Sequence, residues 1–244
     1  MKQVIYTVEE NVPIARNTYK MRLSGDVSDI TAPGQFINIM LDGRYLRRPI
    51  SVHDADGAGV TIIYKVVGGG TEDMTRLASG AKLDVLTGLG NGFDTSKSGD
   101  TPLLLGGGAG VAPLYLLAKK LTAEGKRVSA ILGFGTADEI FGAEELSSIG
   151  CNVTITTNDG SAGVRGFVTD AMPDDYTYTY VCGPEPMMRA VYKKARTDGQ
   201  YSFESRMGCG FGACLGCSCK TVTGYKRICK DGPVLEREEI LWGN

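Results

Sequence analysis

Positive charge is in short supply. The 26 Lys and Arg residues face 28 Asp and Glu, leaving a net charge of -2 over 244 residues. No basic field is available to grip a nucleic-acid backbone, so that partner class is disfavoured and any anionic ligand must be held by a few local groups. Long apolar runs are also missing, which argues against a membrane span. The segment MKQVIYTVEENVP carries charges where a signal peptide needs an apolar stretch, so a cytoplasmic location is expected. Histidine occurs once, at His53, and reads as a hydrogen-bonded barrel residue rather than a catalytic base.

What is present is enough hydrophobic content, 42%, to bury real cores, and a length that suits more than one unit. Short β-type runs at Gln3–Val8, Thr18–Leu23, Gln35–Leu41 and Val60–Val66, broken by Gly, Asp and Pro, predict a small antiparallel barrel up to about Phe93. Asp94–Asp100 is polar, lacks an apolar anchor and reads as a linker. Beyond it, strands at Leu103–Leu105, Val128–Leu132, Val153–Thr157 and Tyr178–Val181 alternate with helical stretches. The clearest of these run from Val111 to about Glu124, with Pro113 in the first turn, and from Glu185 to Arg196. That alternation predicts a parallel, Rossmann-like sheet covered on both faces. The remainder is rich in Cys and Gly, too irregular for an ordinary core and suited to organisation by a cofactor.

Seven cysteines in a reducing compartment point to metal binding or catalysis rather than disulfides. Cys209, Cys214 and Cys217 follow the C-x4-C-x2-C spacing of plant-type 2Fe-2S loops, with Cys229 as the fourth ligand. Gly208, Gly210, Gly212 and Gly216 let the backbone curl and turn N–H groups toward the sulfurs. A structural zinc site is the competing reading, although zinc ribbons pair their cysteines in two close couples and Cys229 has no such companion. Cys219, two residues after Cys217, offers a second thiol for the same position, but Cys217 completes the spacing and Cys219 reads as a buried bystander.

Gly108-Ala-Gly110-Val-Ala-Pro113 lies between a predicted strand and helix, where a pyrophosphate can approach the backbone, although Pro113 replaces the third glycine of the usual fingerprint. A tight turn without ligand is the alternative. Asp138 and Glu139 follow the end of the second strand, where an acid suits the free 2'-hydroxyl of NAD better than the phosphate of NADP, against the plainer reading of a solvated surface pair. In the barrel half, Arg47-Arg-Pro-Ile-Ser51 and Gly68-Gly-Gly-Thr71 offer forked cations, a flexible turn and hydroxyls to a phosphate, against the plainer reading of a solvated face and a turn.

Taken in order, these segments resemble the ferredoxin-reductase-like electron transfer subunits of class B dihydroorotate dehydrogenase over essentially the whole chain. Arg48, Pro49, Ile50 and Ser51 look like the family's FAD motif, with further FAD contacts at Ile63, Tyr64, Lys65, Gly70 and Thr71. Gly106–Pro113 and Cys182-Gly183-Pro184-Glu-Pro-Met187 look like its NAD segments, and Glu204–Cys217 like its cluster loop. The segment between Cys217 and Cys229 looks shorter than in the family.

The resemblance implies an FAD-binding β-barrel domain at 1–97, a Rossmann-like NAD domain at 98–200 and a 2Fe-2S domain at 201–244. It also implies an oxidoreductase subunit of pyrimidine biosynthesis that docks on a separate FMN-containing catalytic subunit, as a heterotetramer of two of each. Dihydroorotate would bind the partner. Ser51 is expected near the flavin N5 and Cys182 near the nicotinamide, with a small buried core residue as the alternative for Cys182. Sister subunits of the same build, serving an NADPH sulfhydrogenase or a ferredoxin-NADP transhydrogenase, are the nearest rivals. A zinc-binding scaffold without redox chemistry is the rival from another class.

Overall fold

Alternation of apolar and polar residues closes the first sheet. In the computed structural model, which describes residues 1–242, six antiparallel strands form a barrel. They are β1 (Lys2–Ala15), β2 (Thr18–Ser24), β3 (Phe36–Ile39), β4 (Arg48–Asp56), β5 (Gly59–Lys65) and β6 (Lys82–Leu89), in the order β1-β2-β5-β4-β3-β6. The short helix α1 (Gly69–Thr75) follows β5. Strands β4 and β6 are not among the runs singled out from the sequence. The first opens on an arginine and a proline, and the second exposes Lys82 while burying Leu83, Val85, Thr87 and Leu89 at every second position. Strand β3 faces two ways: Ile37 and Ile39 fill the barrel core, whereas Phe36 belongs to an apolar cluster outside it.

The segment expected as a linker is tied down by polar groups instead. Asp94 caps a 3-10 turn at Thr95–Lys97, Tyr180 donates to the Asp94 carbonyl at 2.8 Å, and Thr95 and Ser98 are buried. The second sheet has the order β10-β9-β8-β7-β11-β12-β15. Its parallel members are β7 (Pro102–Gly107), β8 (Ser129–Phe134), β9 (Asn152–Thr157), β10 (Val164–Arg165), β11 (Tyr178–Cys182) and β12 (Gly199–Ser202).

Both faces of this sheet are covered, as a continuous apolar run such as Leu103-Leu-Leu105 requires. Leu104 meets Leu114, Leu117 and Leu121 of α2 (Leu114–Ala123) on one side, while Leu103 and Leu105 join Met188 and Val191 of α4 (Glu185–Lys194) on the other. Each such side chain contributes about 1.5–3 kcal/mol when buried. The chain does not enter α2 directly at Val111: a 3-10 turn at Gly108–Val111 comes first, and Pro113 is the cap of α2 rather than a residue of its first turn. Helix α3 (Ala143–Ser148) completes the layer.

The Cys- and Gly-rich tail forms a hairpin of β13 (Ser218–Thr221) and β14 (Gly224–Arg227), then returns to the second sheet as β15 (Val234–Glu236), antiparallel to β12. Regular pairing therefore reaches further than the composition suggested. Among the described residues no helix is long and apolar enough to cross a membrane. His53 sits between the barrel and helices α2 and α3, 2% exposed and stacked on Tyr115, with Nδ1 2.8 Å from the Ala112 carbonyl and Nε2 3.3 Å from Glu145. It is a structural bridge.

Candidate functional site

The barrel, the second sheet and the tail enclose a cleft of about 340 Å³. Arg48, Pro49, Ile50, Ser51, Ile63 and Tyr64 line it, together with Lys65, Thr71 and Cys182. Strand pairing places Ser51 opposite Phe36, which shares the lining. The two adjacent arginines part company. Arg47 forks onto Asp84 with both contacts at 3.0 Å, while Arg48 turns to the glycines that open α1. A Cβ on Gly70 would lie 1.8 Å from Arg48 Nε, so only glycine admits the guanidinium there. A Cβ on Gly69 would come within 2.8 Å of Arg44 Nη2. Thr71 Oγ1 accepts from the N–H groups of Val67 and Gly68 and donates to the Gly68 carbonyl at 3.0 Å, which fixes the turn in advance. Tyr64 also lines the cleft, although its hydroxyl is tied to Asn11 inside the barrel at 2.9 Å.

Cys182 ends β11 at the back of the cleft, 4% exposed, and burial pushes its thiol up to about 12. It therefore stays protonated at neutral pH. Ser202 and Glu204 join it from the neighbouring strand and the chain that follows. Burial within the cleft also raises the Glu204 carboxyl. No sequence pattern had marked Phe36, Ser202 or Glu204 as individual site residues.

A second cleft of about 510 Å³ opens at the carboxyl ends of the parallel strands, where nucleotides bind in sheets of this kind. Gly108 and Pro184 line it, with Gly107, Gly133, Glu139 and Met187. Gly108 has φ 50° and open space where a Cβ would be. Gly110 and Pro113 lie behind this surface. A Cβ on Gly110 would come within 2.3 Å of the Cys182 carbonyl oxygen, so this glycine serves a close crossing of two chain segments. Gly183 occupies the same crossing, near Gly107. Asp138 is exposed and ion-paired with Arg16 at 3.4 Å, outside the lining; its neighbour Glu139 is the acid that reaches the cleft. Arg16 foremost, then the Gly135 N–H and Lys65, outweigh burial and hold the Glu139 carboxyl down at about 2. Lys65 lines both clefts.

The cysteines come as two couples. Cys209 Sγ accepts from the N–H groups of Ala213 at 3.2 Å and Cys214 at 3.5 Å, and Cys214 Sγ accepts from the Cys209 N–H at 3.5 Å. Cys217 Sγ accepts from the Cys229 N–H at 3.4 Å. Burial opposes ionisation of Cys209, yet the N–H groups of Phe211, Cys214 and Ala213 outweigh it and bring the thiol down to about 6. Such inward N–H groups suit thiolate ligands. Among the described residues no three His, Cys, Asp or Glu side chains converge as one metal ion would need. Leu215 holds the turn between the couples at φ 60°, a conformation that stores local strain in a non-glycine residue. Cys219 stands apart in β13, partly buried against the apolar cluster, and burial raises its thiol.

Two family profiles match this layout. One, described as the iron-sulfur cluster binding domain of dihydroorotate dehydrogenase B, covers residues 204–241; the other, an oxidoreductase NAD-binding domain, covers 104–193. The dihydroorotate dehydrogenase B (NAD(+)) electron transfer subunit of Fusobacterium nucleatum is 45% identical, with 96% of each chain aligned. The chain belongs to this family. The electron transfer subunit of a Geobacillus species is 41% identical over 99% of both chains. A solved chain of an NADH-dependent reduced ferredoxin-NADP oxidoreductase superposes with a TM-score of 0.88 at 31% identity, covering 97% of this chain and 90% of that one. The FAD/NAD binding domain of a Vibrio cholerae nitric oxide dioxygenase, 21% identical with a TM-score of 0.67 over 81% of this chain and 98% of that one, shares the fold. The cluster profile begins at Glu204, inside the barrel-side cleft.

Proposed function

We propose that the chain carries electrons between NAD(H) and the FMN-containing catalytic subunit of a dihydroorotate dehydrogenase, through FAD in the barrel-side cleft and a 2Fe-2S cluster on the cysteine loop. One observation carries the reading: the barrel-side cleft shares Lys65 with the nucleotide cleft, and its Phe36 shares an apolar cluster with Cys217 and Cys229. Three neighbouring sites in that order would form a path.

The residues fit the groups they would hold. Arg48 over Gly70, beside the Thr71-locked turn, suits a pyrophosphate, and Pro49, Ile50, Ser51, Ile63, Tyr64 and Lys65 would border the flavin ring. Gly108 and Pro184 would border the NAD phosphates, with Glu139 in the role expected of Asp138; Gly110, Pro113 and Gly183 shape the loop from behind. Cys209, Cys214, Cys217 and Cys229 would hold a 2Fe-2S cluster; their pairing alone would also suit zinc, and the iron-sulfur profile over 204–241 favours the cluster. A flavin supplies the step from a two-electron hydride to the single electrons that a cluster accepts. The protein's own share is placement. Ser51 presents a hydroxyl at the cleft wall, and Cys182 presents a neutral thiol where the two clefts approach.

Residues 1–97, 98–200 and 201–244 would serve as the FAD, NAD and cluster domains, with β15 returned to the NAD sheet. Phe211 and Leu215 are 42% and 61% exposed on the cysteine loop, an apolar rim that the catalytic partner would cover in a heterotetramer of two of each subunit. A reducing cytoplasm suits unpaired buried thiols such as Cys151 and Cys182.

The likeness to the ferredoxin-NADP oxidoreductase chain favours a second reading, a sister subunit with a different partner. Anaerobic co-purification with the candidate FMN subunit decides between them. FAD, two irons per chain and reduction of the complex by dihydroorotate are expected. FAD and cluster without any response to dihydroorotate would leave the electron path and reject the partner.

A further inference from the structure

Asn38 lies on the same face of β3 as Phe36, two residues further along the strand. It is 1% exposed, and its Nδ2 donates to the carbonyl of Cys209 at 3.4 Å. Gly210, at φ 78°, accepts this neighbour only because it lacks a side chain: a Cβ there would fall 2.3 Å from Nδ2. The amide thus bears directly on the peptide that joins the first loop cysteine to the next residue. From behind, Arg47 Nη1 reaches the Asn38 backbone carbonyl at 3.4 Å while its guanidinium stays forked on Asp84. That places the amide on a braced strand.

Stability of the barrel does not explain an amide here. Among the described residues Oδ1 has no hydrogen-bond partner, and a buried acceptor left unpaired is destabilising. An aliphatic side chain would avoid this. What the amide alone provides is a donor to the Cys209 carbonyl. The C=O and N–H of a trans peptide point in opposite directions, so anchoring that carbonyl to the barrel also fixes the direction of the Gly210 N–H. Hydrogen bonds and dipoles around ligand sulfurs set the potential of an iron–sulfur centre.

We propose that Asn38 is a positioning residue for the cluster, reaching from the flavin-binding barrel to the Cys209 peptide and thereby setting the cluster's potential and its retention. The proposal rests on the 2Fe-2S reading of the loop. The barrel then does more than hold one cofactor beside another: its strand β3 orients a ligand of the next.

The test compares wild-type, Asn38→Asp and Asn38→Ala chains in the assembled complex. Aspartate keeps the shape and removes the donor; alanine removes both. The readouts are the cluster midpoint potential and EPR line shape, the rate of cluster loss under chelator, and FAD per chain. Both variants should keep FAD, lose the cluster about 10-fold faster and show an altered line shape, with the potential lower, most of all in the aspartate variant. Wild-type potential, line shape and loss rate in both variants would overturn the proposal. So would loss of FAD in step with the cluster, which would reveal a general structural role. A wild-type chain that binds FAD but no 2Fe-2S cluster would instead overturn the functional reading beneath it.

Discussion

Lys65 Nζ lies 3.2 Å from Glu139 Oε1, joining the last residue of a barrel strand to the rim of the nucleotide cleft. Arg16 holds the same carboxylate at 2.7 Å from another part of the barrel. Two barrel cations thus converge on one acid of the second sheet.

This arrangement predicts the acid limit of stability. The Glu139 carboxyl is held at about 2 in the folded chain, chiefly by Arg16, and Glu145 also at about 2, chiefly by His53. Both lie below the unfolded glutamate value of about 4.3. Their contribution is fully present above that value and is lost as pH falls from there toward 2. Urea midpoints measured from pH 7 to pH 3 should therefore decline below about pH 4.5. Glu139→Gln should cost about 1–2 kcal/mol at pH 7 and flatten the decline. A variant as acid-sensitive as the wild type would refute this account.

Two glycine substitutions should fail in different ways. Gly110→Ala drives a Cβ to within 2.3 Å of the Cys182 carbonyl, a backbone atom that cannot move aside alone, so about 2–3 kcal/mol of stability should be lost. Gly70→Ala meets the Arg48 guanidinium, which can swing away. Its unfolding midpoint should change by less than about 1 kcal/mol, while FAD occupancy falls as far as in Arg48→Ala. Denaturant titration and flavin absorbance per chain separate the two effects.

The cysteine couples predict which thiols are dispensable. Cys219→Ser should keep two irons per chain and an unchanged visible spectrum, because its side chain sits in the β13–β14 hairpin. Cys214→Ser should bleach the spectrum. Iron and zinc assays on both variants check this, and zinc in place of iron in the wild type would support the scaffold alternative.

Local chemistry was the legible part of this sequence. The spacing of Cys209, Cys214 and Cys217 constrains the backbone so tightly that the loop could be read without coordinates, and Gly70-Thr71 after a strand marked the turn facing Arg48. Choices between neighbours were not legible. Arg47 and Arg48 are the same residue type in sequence, and only the register of β4 sends one to Asp84 and the other to the cleft. The Asp138-Glu139 pair divides in the same way, since the 3-10 turn at Ala137–Glu139 decides which acid faces the cleft. Asn38 carries no local signal at all. Its role depends on a contact across 171 positions, which periodicity cannot reveal.

Strands β12 and β15 lie side by side, with the Tyr201–Leu235 pairing between them, and the whole cysteine segment leaves from one and returns to the other. The iron-binding stretch is thus a cassette clipped at both ends into a sheet held by strand pairing. Closing the ends of a loop carries an entropic penalty, and here the sheet has already met it. Metal need only organise the interior of 203–233, so cluster assembly can follow folding as a late and locally reversible event. A chain that loses its irons to oxidation should keep its nucleotide sheet and be ready for repair.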